Sequence, residues 1–298
     1  MTKKERLARI FEEMGPCAVA FSGGVDSCVL ARAAQETAGQ KNWKVLAVTA
    51  ESPSTPRADL EVIRNLATEI GIPHQFVKTH EMELPEYRAN SPKRCYFCKR
   101  HILGQLQKTA RSAGFALLVE GSNADDLHDF RPGFQAVQEL KVRSPLCEAG
   151  LTKAEVRELA RFWRLSTAEK PSTPCLASRI AYGIEITSER LRQVELAEAW
   201  LAERGISPLR VRIHENGLAR IETSPEWMVF LLQPENRIPL VKRFQDLGFA
   251  WASLDLAGFQ SGSLNSILKS DGAKRTSKTL RCSNPSTEGP NQSLSGGQ

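Results

Sequence analysis

Ser22-Gly23-Gly24-Val25-Asp26-Ser27 stands where one apolar run, Cys17 to Phe21, ends and another begins. Adjacent glycines let backbone N–H groups close on an anion with no Cβ in the way. A helix starting there adds the partial positive charge of its N-terminus. Ser22 and Ser27 bring hydroxyl donors for phosphate oxygens. Asp26 brings negative charge, which suits a site that also holds a divalent metal or a cationic partner. The pattern is neither Gly-x-x-x-x-Gly-Lys-Ser/Thr nor Gly-x-Gly-x-x-Gly. A second polar stretch, EGSNADD at 120–126, follows the apolar ALLV. Asn123, Asp125 and Asp126 could hold Mg²⁺ against a triphosphate; each is equally readable as part of a helix-capping loop.

Three of the seven cysteines are candidates for chemistry. Cys95 and Cys98 form a C-x-x-C in SPKRCYFCKRH, open to reading as half a zinc site, a redox pair, part of an iron–sulfur site, or small buried residues at a helix start. There is no second C-x-x-C, and His101 is poorly spaced to complete a zinc site. Cys175 lies in KPSTPCLASR, where two prolines favour an extended loop and Arg179 favours a thiolate. Cys95, Cys98 and Cys175 could hold three irons of a 4Fe–4S cluster, leaving the fourth open to an exogenous sulfide. Cys17 and Cys28 read as core, Cys147 as core or loop packing. Farther on, Arg210 and Arg212 alternate along LRVRI, so both side chains leave one face of a strand. Such a pair suits forked recognition of a phosphate, or it is a basic stripe on an edge strand. Tyr96 or Phe97 could stack on a cationic ring or simply pack.

The elements that must position these residues alternate. Strands are expected at 17–21, 44–49, 74–77 and 116–120, and helices at 4–14, 29–37, 57–70, 99–114 and 152–162. That order predicts an α/β fold with a doubly wound, mostly parallel sheet, whose ligands bind at the carboxyl ends of the strands. Thr152 with Glu155 three residues on has the form of a capping box. Beyond residue 183 the texture changes to a long helix at 188–204, a hairpin around Glu215-Asn216-Gly217, a helix at 239–247 and a strand at 250–254. We therefore expect a nucleotide domain at 1–183, a smaller α+β domain for substrate binding or oligomerisation at 184–259, and a disordered tail at 260–298, which includes Cys282.

The chain has 298 residues, 41% of them hydrophobic and 25% charged, as in an ordinary globular protein. No run approaches the roughly 20 apolar residues that span a bilayer, and the N-terminus lacks the apolar core of a signal peptide. We expect a cytoplasmic protein, where structural disulfides are disfavoured. The net charge of +6 is spread out, without a basic block or interleaved aromatics, and argues weakly for nucleic acid.

The loop resembles the pyrophosphate loop (PP-loop) of ATP pyrophosphatases, S-G-G-x-D-S. With SPSTPRADL, SPKRCYFCKR, EGSNADD, PLCEAGLTKAEVRELAR, KPSTPCLASRIAYG, LRVRIHENGLARIE and LDLAGFQSGSLN, residues 1 to 266 resemble the LarE family of ATP-dependent sulfur transferases. That family helps to build the nickel-pincer nucleotide cofactor of lactate racemase. The resemblance implies ATP on Ser22, Gly23, Gly24, Asp26 and Ser27 and adenine near Thr49, beside which Asn123 and Asp125 could hold the Mg²⁺ suggested above. It implies a small-molecule substrate, a pyridinium-3,5-biscarboxylic acid mononucleotide, whose carboxylate is adenylated and then converted to a thiocarboxylate. It implies an anion site at Arg210 and Arg212, with Ser178, Arg179 and Glu222 nearby. In one branch of the family the cysteine matching Cys175 gives up its own sulfur and becomes dehydroalanine. In another, cysteines matching Cys95, Cys98 and Cys175 bind a 4Fe–4S cluster; this chain has all three, and the cluster branch is the expectation. Homo-oligomers are expected as well. The competing expectations are a tRNA-thiolating PP-loop enzyme, an amide-forming ligase such as NAD synthetase, and a non-catalytic nucleotide-binding module with structural zinc.

Overall fold

A computed structural model describes residues 1–127, 132–171, 174–260 and 264. The expected tail, with Cys282, lies outside the described residues apart from Gln260 and Leu264.

Helix α1 (Lys3–Met14) leads into β1 (Cys17–Ala20), followed by α2 (Val25–Lys41), β2 (Val45–Glu51), α3 (Arg57–Ile70) and β3 (His74–Lys78). Next come α4 (Pro85–Arg88), α5 (Arg94–Ser112), β4 (Leu117–Val119), α6 (Pro132–Glu139), α7 (Pro145–Glu148) and α8 (Lys153–Phe162). The strands form one parallel sheet in the order β3-β2-β1-β4. Alternate side chains face opposite layers. Cys17, Val19, Val45 and Ala47 pack with residues of α1, α2, α3 and α8, while Ala18, Val48 and Leu118 pack on Leu103, Leu106 and Val137 of α5 and α6. Both faces are covered, which is why these strands read as continuous apolar runs.

Helix α9 (Ser188–Ala202) then precedes β5 (Leu209–His214), β6 (Leu218–Thr223), α10 (Pro225–Leu232), α11 (Pro234–Asp246) and β7 (Trp251–Leu254). These strands make a second, smaller sheet in which β5 and β6 are antiparallel and β7 joins β6 in parallel. The β5–β6 connection runs through Asn216 at φ 57°, a left-handed conformation that asparagine tolerates. Leu191, Val194, Val211, Ile221 and Phe244 form the core under this sheet, and Tyr87, Leu176, Ala177 and Ile180 from earlier in the chain join it.

Several helices start earlier than expected. Helix α2 begins at Val25, not Val29, so Asp26 and Ser27 lie on its first turn, where an acidic side chain suits the helix dipole. Helix α5 begins at Arg94, not Lys99, and so carries the whole CYFC stretch; no side chain caps it, so no cap residue marked its start. Helix α11 starts at Pro234 and tolerates Pro239 inside it on an exposed face, where water can serve the carbonyl that loses its donor.

Candidate active site

The loop between β1 and α2 closes on itself. The Ser22 amide donates to Ser27 Oγ (3.3 Å), the two hydroxyl oxygens lie 3.2 Å apart, and Ser27 Oγ donates to the Gly24 carbonyl at 2.9 Å. Gly23 takes φ +71°, and a Cβ there would stand 2.6 Å from Ile63 Cγ1. Glycine is thus required by conformation and by the packing of α3.

Asp26 meets the cationic partner its charge calls for. Its Oδ2 pairs with the ammonium of Lys153, the first residue of α8, and its Oδ1 accepts from Asn123 Nδ2 at 3.1 Å. The Lys153 backbone N–H donates to Asp125 Oδ2 at 2.8 Å, and the Asp125 N–H donates to Asn123 Oδ1 at 3.0 Å. The two polar segments are one network at the carboxyl edge of the sheet. Thr49, buried near the end of β2, donates its hydroxyl hydrogen to the Phe21 carbonyl and lies 2.8 Å from His74 Nε2.

A cavity of about 460 Å³ opens beside this network, and its wall includes Ser22, Gly24, Asp26, Ser27, Thr49, Cys95, Cys98 and Cys175. Helix α5 sets Cys95 and Cys98 three residues apart on one face. Burial pushes the Cys98 thiol well above the ordinary value, and the charges of Cys175, Glu81 and Cys95 add to that. Cys175 is exposed as a residue, yet enough protein surrounds its sulfur that desolvation raises its pKa. Arg94 and Arg179 act against that rise. Tyr96 and Phe97 do not line this cavity; the Tyr96 hydroxyl donates to Glu139 at 2.7 Å and its ring packs edge-on against Phe97.

Among the described residues, no three His, Cys, Asp or Glu side chains gather tightly enough to hold a single metal ion. A four-iron cluster makes a different demand, because each iron takes its own thiolate. Three thiols around one cavity fit that demand as a donor set.

Among the cavity residues that the sequence reading missed are Arg94, Lys99 and Glu120. Glu120 is buried and accepts from Lys99 Nζ (2.9 Å), Ser122 Oγ (2.9 Å) and Ser144 Oγ (2.5 Å). Burial works to raise its pKa, but Lys99 and the hydroxyls outweigh it and hold the carboxyl below its ordinary value. The available signals were the place of Glu120 at the end of ALLVE and the spacing of Lys99, one turn beyond Cys95.

Ser178, Arg179, Arg210, Arg212 and Glu222 form a second group outside the cavity wall. Arg212 and Arg210 are both buried. Arg212 grips Glu222 through two hydrogen bonds of 3.0 Å and donates to the Ser178 carbonyl at 2.7 Å. Arg220 also reaches Glu222, at 2.9 Å. Arg210 lies 4.6 Å from the Phe259 ring centre and donates to the Gln260 carbonyl; burial, then the charges of Arg212 and Arg179, lower its pKa. Arg179 pairs with Glu198 at 2.9 Å and donates to the Pro174 carbonyl at 2.8 Å, while Ser178 Oγ donates to the Cys175 carbonyl at 2.7 Å. The turn after Cys175 therefore joins the cavity to the arginine group.

The family model for asparagine synthase matches residues 7–127, the span of the parallel sheet. An uncharacterized protein of Synechocystis sp. is 43% identical over 90% of this chain and 98% of its own length. The pyridinium-3,5-bisthiocarboxylic acid mononucleotide synthase of Lactiplantibacillus plantarum is 33% identical over 90% of this chain and 95% of its own length. The chain belongs to the LarE family. It is an enzyme of the ATP-using PP-loop class. The tRNA-specific 2-thiouridylase MnmA of Trichlorobacter lovleyi is 30% identical over 53% of this chain and 52% of its own. That shorter match fits a PP-loop domain which the LarE family shares with other enzymes. Among the described residues, no helix of this LarE-family protein is long and apolar enough to cross a membrane.

Proposed function

We propose that this enzyme uses ATP and Mg²⁺ to adenylate a carboxylate of pyridinium-3,5-biscarboxylic acid mononucleotide and then replaces AMP with sulfur, leaving a thiocarboxylate. The observation that carries the reading is the single cavity shared by the glycine loop and the three cysteines. Ser22, Gly23, Gly24 and Ser27 hold the pyrophosphate half of ATP through backbone N–H groups and hydroxyls. Asp26, with Asn123 and Asp125, takes the metal side of the phosphates, and Thr49 lies by the adenine. The substrate carboxylate attacks the α-phosphorus, pyrophosphate leaves, and the acyl-adenylate carries AMP as a good leaving group. Arg210, which among the described residues contacts a ring and a backbone carbonyl, keeps its charge for an anionic substrate beside Arg212. Glu222 and the Ser178 carbonyl hold Arg212, and Arg179 holds the Cys175 turn, in place.

For sulfur delivery, Cys95, Cys98 and Cys175 would hold a 4Fe–4S cluster. Bound by three thiolates, such a cluster supplies an iron open to an exogenous sulfide, and hence a transferable sulfur. The second reading is donation by Cys175 itself, favoured by its exposure, with Arg94 and Arg179 working against the desolvation that raises its thiol pKa. There the thiolate displaces AMP to form a thioester, and β-elimination releases the thiocarboxylate and leaves dehydroalanine. We take residues 1–183 as the nucleotide domain, 184–259 as the substrate and oligomerisation domain of a homo-oligomer, and the cytoplasm as the compartment.

The test is oxygen-free purification, with iron and acid-labile sulfide measured in wild type, Cys95→Ala and Cys175→Ala. About four irons per chain, lost in both variants, support the cluster. No iron after reconstitution, with dehydroalanine at Cys175 after one turnover, transfers the role to the cysteine. Pyrophosphate release that depends on tRNA and not on the mononucleotide would overturn the substrate.

A further inference from the structure

Asn90 is buried between α4 and α5 and takes φ +50°. Its Nδ2 lies 3.2, 2.8 and 2.9 Å from the carbonyls of Ile180, Ala181 and Ile184. Its Oδ1 accepts from Arg94 Nη1 at 2.6 Å, and the same nitrogen donates to the Ala177 carbonyl at 2.9 Å. Arginine has no acceptor, so this contact fixes which end of the Asn90 amide is oxygen. The other guanidinium nitrogen, Nη2, stands 3.7 Å from Cys95 Sγ. The Gly183 N–H adds a bond to the Asn90 carbonyl at 3.2 Å. The segment just after Cys175 is thus tied at Ala177, Ile180, Ala181, Gly183 and Ile184 to two residues that adjoin the Cys95 end of α5. No part of the ATP-binding loop takes part.

We propose that Asn90 and Arg94 are positioning residues that set the placement of Cys175 against Cys95 and Cys98. The inference rests on the reading of the three thiols as one sulfur-delivery site. It adds the physical device that brings them together. Two thiols arrive on a helix and the third on a loop some 80 residues later, so their spacing depends on what joins the two segments. Here one saturated amide and one guanidinium, both buried, join them beside a backbone bond of 2.9 Å from the Ile186 N–H to the Arg88 carbonyl. A lysine at position 94 would keep the charge but lose the planar guanidinium that serves Asn90 and Ala177 through Nη1 and faces Cys95 through Nη2.

The test needs no iron. In a Cys98→Ser background, the purified protein is treated with a short bifunctional thiol reagent, and bridged Cys95–Cys175 peptides are counted by mass spectrometry. Asn90→Gly removes the side chain while glycine accepts the left-handed backbone. It is expected to cut the bridged fraction about tenfold, the effect of losing roughly one net hydrogen bond. Single alkylation of each thiol should continue. Amide exchange over residues 176–186 should quicken by a similar factor, and ATP affinity should stay within about twofold, because the loop is untouched. A merely structural defect would move ATP binding with the rest. Arg94→Lys is the second variant, with the same direction and a smaller loss. Bridging and exchange unchanged in both variants would overturn the proposal, as would the absence of any bridge in the Cys98→Ser background. If the bridge forms and depends on Asn90 while purified wild type takes up no iron, the positioning role stands and the cluster reading falls.

Discussion

Replacing Gly23 by alanine probes the loop where two costs can be separated. The residue sits at φ +71°, and an added Cβ would stand 2.6 Å from Ile63 Cγ1. The left-handed backbone costs an alanine about 1–2 kcal/mol. Ile63 is 3% exposed and held in the core under α2 and α3, so the overlap cannot swing into solvent. Overpacking of that kind costs about 1–3 kcal/mol, and the two together give about 2–5 kcal/mol. Urea unfolding, followed by circular dichroism, measures the sum. The parts separate in a double-mutant cycle with Ile63→Ala, which alone costs about 2–5 kcal/mol through its cavity. In the double variant the new Cβ has room, so the overlap vanishes and the left-handed cost stays. A favourable coupling of about 1–3 kcal/mol follows. ATP affinity should remain weakened in the double variant, because the strained backbone persists. Additivity within about 0.5 kcal/mol would refute the packing argument, and a Gly23→Ala variant as stable as wild type would refute both.

Removing the Glu222 charge as Glu222→Gln takes a fully buried carboxylate away from Arg212 and Arg220 and should cost about 3–5 kcal/mol; a melting curve within a degree of wild type would contradict this. Glu155 is held near 2 by the Lys3 ammonium and the Thr152 N–H and hydroxyl, against an ordinary 4.5. A lowered carboxyl pKa stabilises the fold above the unfolded value, so the advantage of wild type over Glu155→Gln should be full at neutral pH and shrink as pH falls from 4.5 toward 2. A gap that grows on acidification would reverse the sign. Burial pushes Cys17 and Cys28 up to about 12, so iodoacetamide at pH 8 should label the exposed Cys95 and Cys175 and spare these two until the chain unfolds. Early labelling of Cys17, read by peptide mass, would show that the core is open.

What could be read locally was read well. Helix α3 occupies Arg57–Ile70, as its apolar spacing predicts, and the Thr152–Glu155 capping box starts α8. Helix α5 shows where local reading fails. It begins at Arg94 without a side-chain cap, so the helix expected from Lys99 stopped short of C-x-x-C, and only the structure placed both thiols on one helical face. Arg210 and Arg212 do share a face of β5, but the alternation said nothing of their burial or of Glu222 closing on one of them. Burying a charge requires a partner, and here the partner sits on the next strand.

By itself the sequence determined the alternating strands and helices, the glycine loop at the end of the first strand, and the capping box, because each depends on side-chain period or on groups within a few residues. Only the tertiary structure decided that Lys153 neutralises Asp26 across 127 positions, that Asn90 ties α5 to the segment after Cys175, and that three cysteines share one cavity with the ATP loop. Those pairings follow from crossovers that bring distant segments to the same edge of the sheet, and no local pattern in the chain records which segments will meet there.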